Sequence, residues 1–186
     1  MGKLLELTDR KQFRILLHPV RQEIIHLLRL RGRAMTARAV ADRLQLSPMA
    51  AQGHLKKLSS LGILQEEVRT VQEGHTATFY TLDDVEIRLC LGRKDAFQGD
   101  REALAANLVD GTFRGLMNTS HLYDDVELKE HGMLLFGALH LPSQQRKELR
   151  ALVEAYLRTH SSLSQEDVEH WEYVLLAYRG EPGKTP

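Results

Sequence analysis

Residues 46–58 read LSPMAAQGHLKKL. Ser47 is a preferred helix N-cap and Pro48 suits the first helical position, so the stretch predicts a helix opening at Pro48. Ala51, Leu55 and Leu58 recur at i, i+4 and i+7 and predict its inward face. At about 100° per residue the opposite face holds Met49, Ala50, Gly53, Lys56, Lys57 and Ser60, with Gln52 at its flank. A helix with a small, polar and basic outer side is suited to lie against something flat and negatively charged. Gly62 ends it near Leu61.

The sequence around this helix supplies its setting. Upstream, residues 35–46 (MTARAVADRLQL) predict a helix capped by Thr36, with Ala37, Val40, Ala41 and Leu44 as its apolar stripe. Before it, residues 18–32 (HPVRQEIIHLLRLRG) place Pro19 at a helix start, Val20, Ile24, Leu27 and Leu28 at helical spacing, and Gly32 at the stop. A first helix is expected from Thr8 as N-cap, with Asp9 in the first turn, to about Leu17. Downstream the period changes. Residues 63–70 (ILQEEVRT) and 77–82 (ATFYTL) are rich in β-branched and aromatic residues, and Gly74 in the intervening VQEGHT supplies a turn, which predicts a hairpin. Helix, helix, helix, short link, helix and hairpin make a winged helix-turn-helix.

The chain has 186 residues, 42% hydrophobic and 27% charged, a composition able to close a core. No apolar run reaches the ~20 residues that span a bilayer, and MGKLLELTDR lacks the apolar region of a secretory signal. One cysteine, Cys90, has no disulfide partner within the chain. The expectation is a cytoplasmic protein without a membrane partner. The net charge of zero hides a split: residues 1–82 carry 13 Lys+Arg and 7 Asp+Glu, giving +6, and residues 83–186 carry 12 and 18, giving −6. A basic half predicts a polyanionic partner that the acidic half avoids.

The second half reads as a small α/β domain. DVEIRLCLG (84–92) alternates like a strand, GRKDAFQGD (92–100) is a loop, and residues 101–118 predict a helix with Leu104, Leu108 and Leu116 among its apolar positions. GMLLFGALHL (132–141) and WEYVLLAYRG (171–180) are apolar runs of strand length. Between them a helix starts near Ser143, with Leu149, Leu152, Val153 and Tyr156 on its apolar face. The expected fold is α+β: an N-terminal winged helix-turn-helix over residues 1–82, a C-terminal α/β domain over 83–180, and a disordered tail, 181–186.

The second helix of a helix-turn-helix fits the DNA major groove, which is ~12 Å wide. Candidate DNA-binding residues are therefore Ser47, Met49, Ala50, Gln52, Gly53, His54, Lys56 and Lys57, with Arg38 on the preceding helix and Arg69 and His75 on the hairpin. Lys56, Lys57, Arg38 and Arg69 would neutralise phosphates, and Met49, Ala50 and Gln52 would meet base edges. Lys56 and Lys57 alone also fit a merely solvated face, and His54 fits local packing. Gly53 costs roughly 1 kcal/mol against Ala inside a helix. Close approach to DNA and drift at a tolerant site both accommodate it.

LHPVRQEIIHLL (17–28), LSPMAAQGHLKKLSSLGIL (46–64) and FYTL (79–82) together resemble the ArsR-type winged-helix regulators across about residues 10–82. The resemblance implies a DNA-binding transcriptional regulator, usually a homodimer on a near-palindromic site and often released by a ligand. The chain departs from that pattern in several places. Gly53 stands where a polar or basic residue is common, the hairpin tip has no Arg, and the segment Thr36–Leu44 lacks the cysteine pair of the metal-sensing members. About 100 further residues follow the hairpin.

Three roles suit the second half: binding a small-molecule effector, with Phe136, Trp171, Tyr173 and Tyr178 lining a pocket; dimerisation; or docking a protein partner. The aromatics equally fit core packing. His121, His131, His140, His160 and His170, with Asp167 and Glu169, were the metal-ligand candidates, but their spacing makes no compact site, and no metal or other cofactor is expected. Cys90 has Arg88 and Arg93 nearby as a candidate redox site. No phosphate-binding loop, HExxH or GxSxG pattern points to an enzyme. A protein-interaction module, or a non-specific DNA-binding protein with a docking domain, is the competing reading.

Overall fold

The computed structural model describes residues 3–71, 74–160, 169 and 171–180. Asp167, His170 and the expected tail 181–186 lie outside the described residues. The chain opens with a strand, β1 (Lys3–Glu6), followed by α1 (Arg10–Leu16), α2 (Pro19–Arg31), β2 (Met35–Thr36), α3 (Ala37–Leu44) and α4 (Pro48–Ser60). The hairpin is β3 (Leu64–Thr70) and β4 (Thr76–Leu82), and β5 (Val85–Arg88) follows it. The rest is helical or irregular: α5 (Gln98–Ser120), α6 (Leu128–His131) and α7 (Ser143–His160). The fold is mixed helix and strand with an N-terminal helix-turn-helix.

Local chemistry sets the helix ends. α1 is capped by Asp9, one residue later than expected. Its carboxylate accepts from the Gln12 amide at 2.9 Å, and the Gln12 side-chain oxygen accepts from the Asp9 amide at 3.2 Å. This reciprocal pair satisfies two amide donors that would otherwise be free, which Thr8 as cap would not. Thr36 caps α3 through the Ala39 amide, and Ser47 caps α4 through the Ala50 amide, both at 3.2 Å. Gly32 closes α2 at φ 58, a left-handed conformation that suits glycine. Gln45 takes the same conformation, φ 54, and makes the turn between α3 and α4.

The core is drawn from every N-terminal helix. Phe13, Ile24, Val40, Ala51, Leu55 and Leu58 are each 0% exposed, and Tyr80 of β4 closes them from the sheet side. That sheet has the order β2-β4-β3, all antiparallel, with Met35 opposite Tyr80 and Glu66 opposite Tyr80 on the other side. β1 and β5 form a separate parallel pair, Lys3 opposite Val85. The start of α5 joins the same core: Leu104 is buried and Phe97 stacks on Phe13 with ring centroids 5.8 Å apart. Arg101, 2% exposed, grips Asp95 through both carboxylate oxygens and so ties the preceding loop to α5.

Beyond Leu104 the expected strands do not form. Residues 133–142 and 171–180 carry no strand pairing among the described residues, and Phe136 is 94% exposed. Continuous apolar runs form strands when a ladder and a second layer cover both faces. Among the described residues no ladder forms on either run. α7 forms where expected, but Leu152 and Tyr156 of its apolar face stand 67% and 63% exposed.

One anchor returns the C-terminal segment to the N-terminal body. Glu172 accepts from His26 Nδ1 at 2.8 Å and from Arg29 Nη1 at 3.1 Å, both on α2. The hydrogen bond to Glu172 holds the His26 imidazole above its ordinary value, against the opposing effect of burial. Burial pushes Glu172 up, but the hydrogen bonds and charges of His26 and Arg29 hold it down overall. The contribution of His26⁺ is therefore complete below its unfolded value, about 6.5, and is lost as pH rises through the raised folded value. Arg29 remains, so the anchor weakens without vanishing. Trp171 is the single tryptophan and adjoins Glu172. Acrylamide quenching of Trp171 should increase as pH rises from below the ordinary histidine value, about 6.5, through the raised folded value of His26, and Glu172→Gln should abolish that change. A pH-independent quenching in the unaltered chain would contradict the anchor.

Candidate nucleic-acid interface

α4 presents two opposed faces. Ala51, Leu55 and Leu58 are wholly enclosed, whereas Met49 is 83% exposed and Ala50, Gln52, Gly53, Lys56 and Lys57 are all exposed. The orientation follows from packing against α3, α2, α1 and β3. The exposed face carries two ammonium groups and no carboxylate.

The other expected residues are placed differently. Ser47 spends its hydroxyl on the α4 cap, so its contribution at a ligand surface would come through the helix end. His54 turns inward: its Nδ1 accepts from Arg21 Nη1 at 3.3 Å, and its ring sits 4.8 Å from that of His18. Both imidazoles are held below their ordinary value by burial first, then by the positive charges of Arg21 and Lys57, with His18 ahead of these for His54. They are neutral near pH 7, and His18 Nδ1 is buried without a partner. Arg38 is exposed on α3. Arg69 on β3 is engaged by Glu67 at 2.5 Å and lies over the Phe79 ring, 4.9 Å from its centroid. His75 is exposed at the hairpin turn, where its carbonyl accepts from the Val71 amide. Arg38, α4 and the hairpin are thus spread over one N-terminal body.

Phe136, Trp171, Tyr173 and Tyr178 stand 94%, 51%, 59% and 92% exposed, and none lines the cleft beside Met35 and Phe79 or the cleft beside Lys11, Arg21 and Lys57. Among the described residues no group of three or more His, Cys, Asp or Glu side chains is placed to hold a metal ion. Asp167 and His170 are outside that description. No helix among the described residues is long and apolar enough to cross a membrane.

Sequence reading missed Lys11, Arg14 and Arg21. Arg21 is 5% exposed and lies under α4, with Nε donating to the Ile15 carbonyl at 2.5 Å and Nη2 to the Arg14 carbonyl at 2.8 Å. Burial pushes its guanidinium below the ordinary value. The available signal was the i, i+3 spacing of Lys11 and Arg14 on α1, which resembles any solvated helix face until α4 is seen beside it.

A family model described as a helix-turn-helix domain matches residues 16–67, from the last residue of α1 through α4 and into β3. Among solved structures, a possible transcriptional regulator from Methanosarcina mazei Go1 is similar at 16% identity and TM-score 0.36, over 58% of this chain and 84% of that one. An apo-form mutant of Lactococcus lactis ZitR is similar at 19% identity and TM-score 0.34, over 78% of this chain and 87% of that one. No curated protein matches the chain.

The two faces of α4 differ in what they tolerate. Leu55→Ala should destabilise the protein by about 2–5 kcal/mol, and Met49→Ala by less than about 0.5 kcal/mol, as read by urea unfolding. A methyl group added at Gly53 meets nothing within 4 Å. Gly53→Ala should therefore stabilise the free protein by about 0.5–1 kcal/mol through helix propensity. A loss of stability in that variant would show that the glycine serves internal packing.

Proposed function

We propose that this chain is a sequence-specific DNA-binding transcriptional regulator, acting as a homodimer and repressing by steric occlusion. The single observation that supports it best is the outer face of α4, exposed along its length, basic, free of carboxylates and mounted on a rigid helix-turn-helix. Laid in a major groove, it would bring Met49, Ala50 and Gln52 to base edges and Lys56 and Lys57 to phosphates. Arg38, Arg69 and His75 would flank them. The resemblance to ArsR-type regulators supports the same reading and is the ground for choosing repression.

The dimer is supported by apolar surface without a cover. Leu108 and Phe113 of α5, Leu152 and Tyr156 of α7, and Phe136 and Leu135 between them are each exposed. Large apolar side chains left in water in this number suit a surface that a partner covers. A second copy would cover it and would set two α4 helices about one DNA turn, ~34 Å, apart. A small-molecule effector would act by stabilising one spacing of those helices over another.

Selection of bound fragments from a random DNA pool, at two salt concentrations, tests the reading. The expected result is a near-palindrome with half-sites about one turn apart. Lys56→Ala combined with Lys57→Ala should weaken binding to every sequence and flatten the salt dependence by about 2 in slope. Recovery of no enriched sequence, with binding lost at moderate salt, would contradict sequence specificity and favour a non-specific binder whose C-terminal half docks a protein.

A further inference from the structure

The cations of α4 share a cleft with others. Lys11 and Arg14 of α1 and Arg21 of α2 border the same open cleft, about 630 Å³, as Gly53, Lys56 and Lys57 of α4. Among the described residues no carboxylate lines it. Among the described residues none of the five cations takes part in a salt bridge. Five positive charges from three helices therefore face one space with nothing opposite in sign.

Arg21 makes the imbalance specific. It is 5% exposed, and its three hydrogen bonds all go to neutral acceptors: the Ile15 and Arg14 carbonyls and His54 Nδ1. Accepting at Nδ1 places the proton of neutral His54 on Nε2. A buried cation is normally paired, because desolvation without a counter-charge is costly. Two guanidinium N–H groups remain outside these bonds. Lys11, Arg14, Lys56 and Lys57 are exposed at the rim, where ammonium and guanidinium groups can close on an anion that enters. The distribution suits an oxyanion with several oxygens reached from different sides.

We propose that the cleft between α1, α2 and α4 is a phosphate site, filled by a backbone phosphodiester when α4 lies on duplex DNA. The phosphodiester source rests on the DNA-binding reading; the affinity for a phosphate group does not. Lys11 and Arg14 thereby extend the contact surface from α4 onto α1, and Arg21 supplies charge from beneath without leaving its place in the packing.

The test uses the full chain and the variant Lys11→Ala with Arg14→Ala. Both side chains are exposed, so the fold should persist, as an unchanged unfolding midpoint would verify; Lys11→Gln with Arg14→Gln serves if it does not. Affinity for a mixed-sequence duplex is measured across a salt series. The variant should lose about 1 from the slope of log K against log salt, with equal weakening on any selected sequence. Lys147→Ala, on α7, should leave the slope unaltered. An unchanged slope in the α1 variant, while the Lys56/Lys57 variant flattens it, would overturn the proposal with the DNA reading intact. If the unaltered chain binds no duplex, the DNA reading fails, and calorimetric titration with inorganic pyrophosphate decides the cleft. Heat of binding that disappears in the α1 variant would uphold a phosphate site supplied from free solution; no heat would overturn it.

Discussion

Ala51, Leu55 and Leu58 are enclosed by α1, α2, α3 and β3, and this burial decides which side of α4 meets the solvent. Side chains at i, i+4 and i+7 share one helix face, so turning these three to the core points the opposite face away from it. The direction of Met49, Gln52, Lys56 and Lys57 is thus a packing consequence. A rotation of α4 that turned the lysines inward would strip three apolar side chains from the core and bury ammonium groups without partners. Both changes oppose it, and the outer face stays turned to the solvent.

The same constraint arranges the electrostatics. Because α1 and α2 pack against the flanks of α4, Lys11, Arg14 and Arg21 come within one cleft of Lys56 and Lys57. The neutral state of His18 and His54 is part of this arrangement: protonation of either would add charge beside Arg21. Charge concentrated on one side of a small body favours a polyanion and raises the rate of encounter with it. The C-terminal half carries the opposite net charge, −6, which disfavours a polyanion.

Local signals in the sequence were strong where the cause was local. The caps at Thr36 and Ser47, the stop at Gly32 and the turn at Gly74 each depend on a few neighbouring residues, and these ends were legible. β1 was not, because Lys3–Glu6 becomes a strand by pairing with Val85–Arg88, some 80 residues later. β2 is two residues long and too short to show a period. The runs at 132–141 and 171–180 read as strands because they are apolar throughout, yet strand formation depends on a pairing partner, and none is found among the described residues. At the site, the face of α4 was legible from its period. Its continuation onto α1 was not, because Lys11 and Arg14 lie more than 40 residues from Lys56, and helix packing brings them together. His54 shows the converse: at the flank of the predicted outer face, it is drawn inward by Arg21 and His18.

The central claim is that the outer face of α4 is the surface that meets DNA. The most direct measurement is the change in backbone amide resonances of the full chain on titration with a short duplex. The account predicts that shifts concentrate at Met49, Ala50, Gln52, Gly53 and Lys56 and extend to Lys11 and Arg14, with little change along α7. Shifts confined to α7 or to residues 171–179, with α4 unmoved, would contradict it and place the partner surface in the acidic half.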